Sequence, residues 1–315
     1  MSTNFPNGVS SFGVPVLSSV PMVSPFSKVI FVDGNVGSDG YNGSTPALAL
    51  RTMSKAFTSY LASGDTIVFR GNIREELTTP AGVFDVTIVG AGNKPRHADA
   101  HTGNGGFSAA TWKPPAVPTA ATPLLIVQQQ GWSLYNILFD CPVDAAAVQL
   151  LRDAGAGDAE RDASHATISG CRFATGQNAI ELKGGPDFVR IENNTLHGLT
   201  TSAIKNTVGA GVGTNFVTEI LNNRFTDNVS HIVCPLNESH VIGNSFGKFT
   251  AGTGFGLDLS GGAGGSNQVH GNYFTGDYDG DYVAATGDDW AGNYSMDVAS
   301  AEVGAEGLTI AVPVA

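Results

Sequence analysis

The chain of 315 residues reads as an all-β fold, a single-stranded right-handed parallel β-helix, or solenoid. Three observations predict it: a short motif recurring at a spacing in the low twenties, a surplus of glycine and proline beside a shortage of charge, and one isolated helical periodicity near the start. The 41 glycines and 15 prolines exceed one residue in six, against about 12% in ordinary domains. Charged residues make up 14%, against about 25%. Such a chain turns often and builds few solvated helices, while 42% hydrophobic residues supply a core and exclude disorder. The glycines follow no three-residue period, which excludes collagen. Length alone suggests two domains at roughly 150 residues each, but the repeats make the chain one elongated body.

Residues 1 to 27 carry no charge and four prolines, with scattered Phe, Val, Leu and Met and no helical period. A free disordered segment is usually charged, so this one reads as an extended arm apolar enough to lie on another protein. The anchoring side chains are then Phe5, Pro6, Val9, Phe12, Val14 and Val16; the other reading folds the arm back along its own β-helix. The β-helix spans 28–290, with a first strand at Lys28–Val32 and a loop over Asp33–Gly40. From Thr52 the apolar residues Met53, Ala56, Phe57, Tyr60 and Leu61 follow i, i+3, i+4, i+7, i+8, which specifies an amphipathic helix near 52–62. It is expected to cap the open end of the first coil and hide its edge. Gly64 ends it, and strands follow at Asp65–Phe69, Val86–Val89 and Leu124–Val127. Ala98–Pro123 and Asp144–Ala166, rich in glycine and alanine, read as loops or side excursions from the column.

Five segments then share an apolar residue, two variable residues, an Asn or Cys, one residue, and an aromatic or Leu. They begin at Ile168, Ile191, Ile220, Val241 and Val269, with Leu134–Phe139 as a looser relative. Their middle positions Cys171, Asn194, Asn223, Asn244 and Asn272 are spaced by 23, 29, 21 and 28 residues, one coil plus variable loops. Each repeat reads as a strand, a tight Gly/Asn bend and a second strand. Stacked at the ~4.8 Å inter-strand spacing, the asparagines form a structural ladder, amide to amide, with Cys171 as a small buried substitute. Phe173, Leu196, Phe225, Phe246 and Phe274 fill the interior beside them. Glycines in mid-segment rule out a helical reading. Residues 291–315 form a C-terminal cap or extension. Roughly ten coils give a rod ~50 Å long.

The net charge of −12, spread without a basic cluster, argues against nucleic acid and anionic membranes as partners. No apolar run reaches the ~20 residues of a membrane span, and the N-terminus lacks the basic and apolar regions of a secretion signal. Three cysteines far apart imply neither a disulfide framework nor a CxxC metal site, but a reduced state in the cytosol where the protein is made. No cofactor is expected. Asp277, Asp279 and Asp281, with Asp288, approximate the oxygen spacing of a calcium loop, but Tyr282 stands where the turn glycine belongs and Asp closes it in place of Glu. The segment reads as a solvated loop, with those aspartates as the alternative ion ligands; Asp33, Asn35 and Asp39 read the same way. Glu181, Asp187, Glu192 and Asp258 are the carboxylates available to glycosidase chemistry, yet nothing in their spacing selects a pair. His197, His231, His240 and His270 read as solvent-facing strand or loop histidines. No catalytic residue is assigned.

The string Phe31–Pro46, followed by Arg51-Thr-Met-Ser-Lys-Ala56 and Gly64-Asp-Thr-Ile-Val68, resembles the opening of pectate-lyase-like right-handed β-helix proteins. There a strand, a Gly/Asp/Asn loop, a capping helix and a GDTI strand occur in this order. Asn4–Val16 is similar to the leader of tailed-bacteriophage structural proteins that carry such a β-helix, and Trp290–Ser295 with Leu308–Val314 to their close. That resemblance implies a virion structural protein, a capsid decoration or cement component or head fibre held through its arm. Its partner would be the major capsid protein or another head protein, its location the capsid surface of a virion whose proteins are made in the host cytoplasm, and a homo-oligomer such as a trimer its assembly state. The alternative is a tailspike-like enzyme degrading polysaccharide, or an adhesin binding a host surface glycan.

Overall fold

The computed structural model describes residues 27–92, 110–153, 161–207, 215–248, 254–260, 265–276 and 287–295, with 282–283, 285 and the strand residues 10–11 and 14–15. Within this set the fold is a parallel β-helix with one α-helix, and nearly every strand pairs in parallel with its counterpart one coil away. Each full coil carries three strands, one in each of three sheets, and two coils add a short fourth, Asn215–Phe216 paired in parallel with Leu236–Asn237.

The first sheet starts at Val29–Asp33, which pairs with Thr66–Ile73, then Thr87–Gly90, Ser133–Tyr135 and Thr167–Ser169. It continues through Arg190–Glu192, Glu219–Leu221, His240–Ile242 and Gln268–His270 to Asp289–Ala291. Its middle residues, from Ile30 and Ile67 through Ile168, Ile191 and Ile220 to Val269 and Trp290, point inward and are buried. Their flanks point outward, which is the period-2 pattern of a strand with one wet face. The second sheet holds the aromatic column. Phe139 and Phe173 stack at 4.9 Å, Phe225, Phe246 and Phe274 at 4.8 Å each, and Leu196 separates the two stacks. Trp112 joins the first stack at 6.0 Å from Phe139. Such pairs contribute ~0.5–1.5 kcal/mol each beyond their buried area.

The bend between these sheets divides its work between two neighbouring positions. The first takes left-handed backbone: Asn136, Gly170, Asn193, Asn222, Gly243, Gly271 and Gly292 all have φ between 54° and 68°. Only Gly, or Asn with its short polar side chain, does this at low cost. The second carries the buried amide. Asn194 Nδ2 donates to Asn223 Oδ1 at 3.0 Å, Asn223 to Asn244 at 3.1 Å, Asn244 to Asn272 at 3.0 Å, and Asn272 to Asn293 at 2.9 Å. Each Oδ1 also accepts the backbone N–H of the preceding member, and each Nδ2 also donates to a carbonyl of the previous coil, as Asn244 does to Ile220 O at 2.8 Å. Cys171 heads the column, its N–H donating to Asn194 Oδ1 at 2.8 Å. Its thiol lies 3.7 Å from Leu134 O, the carbonyl that an asparagine there would address. Asn293 belongs to the same column, so the solenoid runs to Tyr294–Ser295, past the boundary at 290.

The third sheet corrects the sequence reading of two strands per repeat. It runs from Leu77–Thr78 through Leu125–Val127, Ala146–Leu151, Asn178–Lys183, Ser202–Thr207 and Ser230–Val233 to Leu257–Asp258 and Tyr282–Val283. Ala146–Leu151 lies in a stretch read as a loop, and so does Ala110–Trp112 of the second sheet. Both are short and almost wholly buried, so neither shows the alternation that marks a half-exposed strand. Gly184 follows this sheet at φ 81°, where an added Cβ would sit 1.8 Å from Arg152 O, so only glycine fits.

The N-terminal end is closed twice. Helix α1, Met53–Ser59, is shorter than the expected 52–62; Thr52 caps it by accepting Lys55 N, and the Glu75 carboxylate accepts Met53 N at 2.7 Å and Ser54 N at 3.2 Å. Met53, Ala56 and Phe57 are buried, with Phe57 edge-on to Trp132 at 5.6 Å. The strand edge itself is covered by residues 43–50, between the expected loop at Asp33–Gly40 and the helix. Phe31 N donates to Gly43 O, Leu50 N to Phe31 O and Asp33 N to Leu50 O. Within the expected arm, Ser10–Ser11 pairs antiparallel with Val14–Pro15; Phe5, Pro6, Val9, Phe12 and Val16 lie outside the described residues.

Replacing Asn244 by Ala removes acceptors from Asn223 and a donor from Asn272 inside the core. At ~1–3 kcal/mol for each buried group left unpaired, the loss should be about 3 kcal/mol. Urea unfolding measures it, and a loss below about 0.5 kcal/mol would show that the ladder does not carry stability.

Candidate functional site

Parallel register distributes the candidate side chains over separate outward faces. On the first sheet Arg190 stands in register with Thr167 on one side and Glu219 on the other. Its Nε donates to Glu192 Oε2 at 2.8 Å and its Nη1 lies 3.2 Å from Glu219 Oε2. The Glu192 hydrogen bond raises the Arg190 pKa further above its ordinary value. His270 Nε2 meets Asp289 Oδ2 at 2.9 Å farther along the same face, and His240 Nδ1 lies 4.0 Å from Glu219.

On the third sheet Glu181 is the most buried of the four candidate carboxylates. It accepts Gln149 Nε2 at 2.6 Å and the Thr207 hydroxyl, and Lys205 Nζ is 3.5 Å away. Burial pushes its pKa up, but the Thr207 and Gln149 hydrogen bonds and the Lys205 and Lys183 charges outweigh that and hold it below the ordinary value. A catalytic acid needs the opposite shift. Asp258 shares this outward column with Lys205 and Val233 in between, three inter-strand steps or ~14 Å from Glu181. That exceeds the ~5–10 Å of paired glycosidase carboxylates. Asp258 itself accepts the N–H and hydroxyl of Ser260. Asp187 sits at the corner between the third and first sheets, paired with Arg152 and accepting Phe216 N at 3.1 Å. The four carboxylates thus occupy four places, each with its own partners.

The loop aspartates are likewise engaged. Asp33 is buried, pairs with Arg70 and accepts the N–H groups of Asn35 and Val36. Burial raises its pKa, and the Arg70 hydrogen bond and these amides lower it further than burial raises it. Asn35 Oδ1 accepts Asn72 N, and Asp39 accepts Arg51 N, Thr52 N and the Thr52 hydroxyl. Asp288 accepts from Asn267 N, Asn267 Nδ2 and Ala285 N. Asp277, Asp279 and Asp281 lie outside the described residues, and no group of three or more His, Cys, Asp or Glu among the described residues is arranged to hold a metal. Cys141, Cys171 and Cys234 are free and buried, and burial pushes the Cys171 and Cys234 thiols up to about 12, so they are inert as nucleophiles.

One histidine reverses its sequence reading. His231 is fully buried, 3.0 Å from Asn228 Nδ2 and tilted against Phe225 and Phe246 at 5.7 and 5.8 Å.

A corner missed by sequence reasoning joins the third sheet to the first. His165, Phe188 and Val217 occupy equivalent left-handed positions on successive coils, φ 61°, 55° and 51°. The His165 and Phe188 rings stack at 4.8 Å, nearly parallel, and a hollow of about 280 Å³ beside them is bounded by Thr167, Arg190 and Glu219. Non-glycine residues at positive φ give no signal in a sequence read for Gly and Asn bends.

No family model and no curated protein matches this chain. Among solved structures, the pectin methylesterase from Aspergillus niger superposes with a TM-score of 0.53 over 92% of each chain, at 14% identity. The Dettilon tailspike protein is similar at 10% identity over 85% of this chain and 68% of its own, TM-score 0.29. Geobacillus virus E2 ORF18 is similar at 12% over 84% and 60%, TM-score 0.37. The likeness is one of fold. The chain is a right-handed parallel β-helix.

Because Glu181 has a lowered pKa in the folded state, its ionisation stabilises the fold above its unfolded pKa, and that contribution is lost as pH falls through the folded value. Glu181→Gln should therefore destabilise at pH 7 and cost progressively less toward pH 3. Urea melts across that range test it; a penalty independent of pH would contradict the sign of the shift.

Proposed function

We propose that this chain is a virion structural protein of a tailed bacteriophage, a decoration, cement or head-fibre component attached to a head protein through residues 1 to 27. The observation that carries the reading is the engagement of the candidate carboxylates. Glu181, Asp187, Glu192 and Asp258 lie apart and are bonded within the scaffold, so they serve the rod's own surface. The uncharged, proline-bearing leader and its likeness to phage leaders supply the attachment. The rod is suited to such a part: a solenoid with an internal ladder unfolds only by breaking several coils. The acidic balance also keeps it from the packaged genome. A trimer fits the threefold positions that capsids offer.

A second reading, a tailspike-like polysaccharide-degrading enzyme or glycan-binding adhesin, draws on Tyr273 and Tyr294. They are in register on adjacent strands of the second sheet, both substantially exposed, and aromatic rings of this kind pack on sugar faces.

Two experiments separate these readings. Deleting residues 1 to 27 should leave the β-helix folded and abolish attachment to empty heads in a sedimentation assay; undiminished attachment refutes the docking arm. Incubation with host capsule or lipopolysaccharide should leave the polymer length unchanged, whereas shortening would establish the depolymerase reading.

A further inference from the structure

At the bend between the first and second sheets the left-handed positions from Asn136 to Gly292 are Gly or Asn. The corner between the third and first sheets is built differently. There Phe188 at φ 55° and Val217 at φ 51° put a bulky and a β-branched side chain where large residues are rarely found, and strain of this kind concentrates at functional sites. The corner does not demand them, since Glu238, one coil beyond Val217, takes φ 49° with a polar side chain. Nor does the core: Phe188 is 52% exposed although one face of its ring lies on His165.

The backbone beneath is fixed from coil to coil. His165 N donates to Asp187 O at 3.0 Å, Phe188 N to Phe216 O at 3.0 Å and Val217 N to Asn237 O at 3.1 Å. The hollow beside the ring is therefore preformed, and every residue that bounds it is among those described. At about 280 Å³ it is slightly smaller than the ~300–1,000 Å³ of pockets for drug-sized molecules, so it takes one small ring. Its rim carries Arg190 and Glu219, paired at 3.2 Å, with Glu192 on the other side of the guanidinium at 2.8 Å.

That rim narrows the ligand. A wholly apolar molecule would strip water from Arg190 and Glu219 and offer nothing in return. An anion would meet two carboxylates around one guanidinium, on a chain of net charge −12. We propose that this corner binds one neutral pyranose ring. The C–H face of the sugar packs on the uncovered face of Phe188; its hydroxyls donate to the Glu219 carboxylate and accept from Arg190 N–H groups that the two glutamates leave over. The proposal rests on the glycan-binding reading above and places the site on a different side of the rod from Tyr273 and Tyr294.

Saturation-transfer difference NMR on the full-length protein tests it with the methyl glycosides of glucose, galactose and mannose, and with methyl glucuronide. At least one neutral glycoside should receive saturation on its ring C–H protons, and methyl glucuronide should bind at least about fivefold more weakly. Phe188→Asn removes the ring but keeps a residue that tolerates φ 55°, so it should weaken binding at least about tenfold without lowering the urea midpoint. Glu219→Gln should weaken binding at least about threefold. In the wild type, bound sugar should shift the imidazole proton signals of His165, identified through His165→Gln, and leave those of buried His231 in place; this readout needs no Phe188 variant. Saturation of no neutral glycoside, equal binding by methyl glucuronide or by Phe188→Asn, or an unmoved His165 signal overturns the proposal. The double variant Tyr273→Ser, Tyr294→Ser should bind as the wild type does. If it loses binding while Phe188→Asn keeps it, this site falls and the glycan-binding reading stands. Host lipopolysaccharide in a pull-down separates the remaining cases. Retention that Phe188→Asn loses makes a glycan the source of the ring, and binding of the glycosides alone makes it a free sugar. Retention of lipopolysaccharide with no glycoside binding overturns the site only, and binding of neither overturns both the site and the reading.

Discussion

A primary amide buried in an apolar interior has two donors and an acceptor with two lone pairs to satisfy, and the ladder from Asn194 to Asn293 satisfies them by using the next coil as partner. The rest of the architecture follows from that requirement. A shift of one residue in any coil would leave amides facing hydrocarbon, so the ladder locks the register of the strands on either side of the bend. Register in turn aligns the isoleucine column of the first sheet and the phenylalanine stacks of the second. The left-handed residue before each asparagine is the geometric condition that aims the amide inward, which explains why the residue there is Gly or Asn in each of these coils.

The same register governs the surface. Charges that are distant in sequence become neighbours one strand apart, and the chain uses this to neutralise them pairwise: Arg190 with Glu192 and Glu219, Lys205 with Glu181, Arg152 with Asp187. Surface pairs of this kind add little stability each. At Glu181 the effect is on chemistry, because a carboxyl group held below its ordinary pKa by hydrogen bonds and nearby lysines is a poor proton donor. On these outer faces the named charged groups are paired with one another, mostly across the coils.

Much of this was legible in the sequence where a residue type has only one physical use. Asn two residues before an aromatic, after a Gly or Asn, marks a bend with a buried amide, and the motif located the ladder and the aromatic column. The third sheet was hidden because Ala146–Leu151 is buried on both faces and rich in alanine, so composition reads as loop. Asn293 escaped because Ser295 replaces the aromatic that completes the motif. The surroundings of Glu181 were invisible for another reason: Gln149, Thr207 and Lys205 lie 32, 26 and 24 residues away, and only the register brings them together. His231 was misplaced because its burial comes from packing on the Phe225 and Phe246 rings, a contact that only the fold creates.

The three tryptophans have a consequence for how the molecule can be observed. Trp112 and Trp132 are packed in the early coils, Trp290 in the last described one, and all three are buried. The middle of the rod contains none. Intrinsic fluorescence is therefore a two-ended gauge, with one pair of emitters near the arm and a single emitter at the far tip. A rod that frays from one terminus dims one emitter set before the other, and a rod that melts as a unit dims both together, so one spectrum reports the direction of unravelling without any added label.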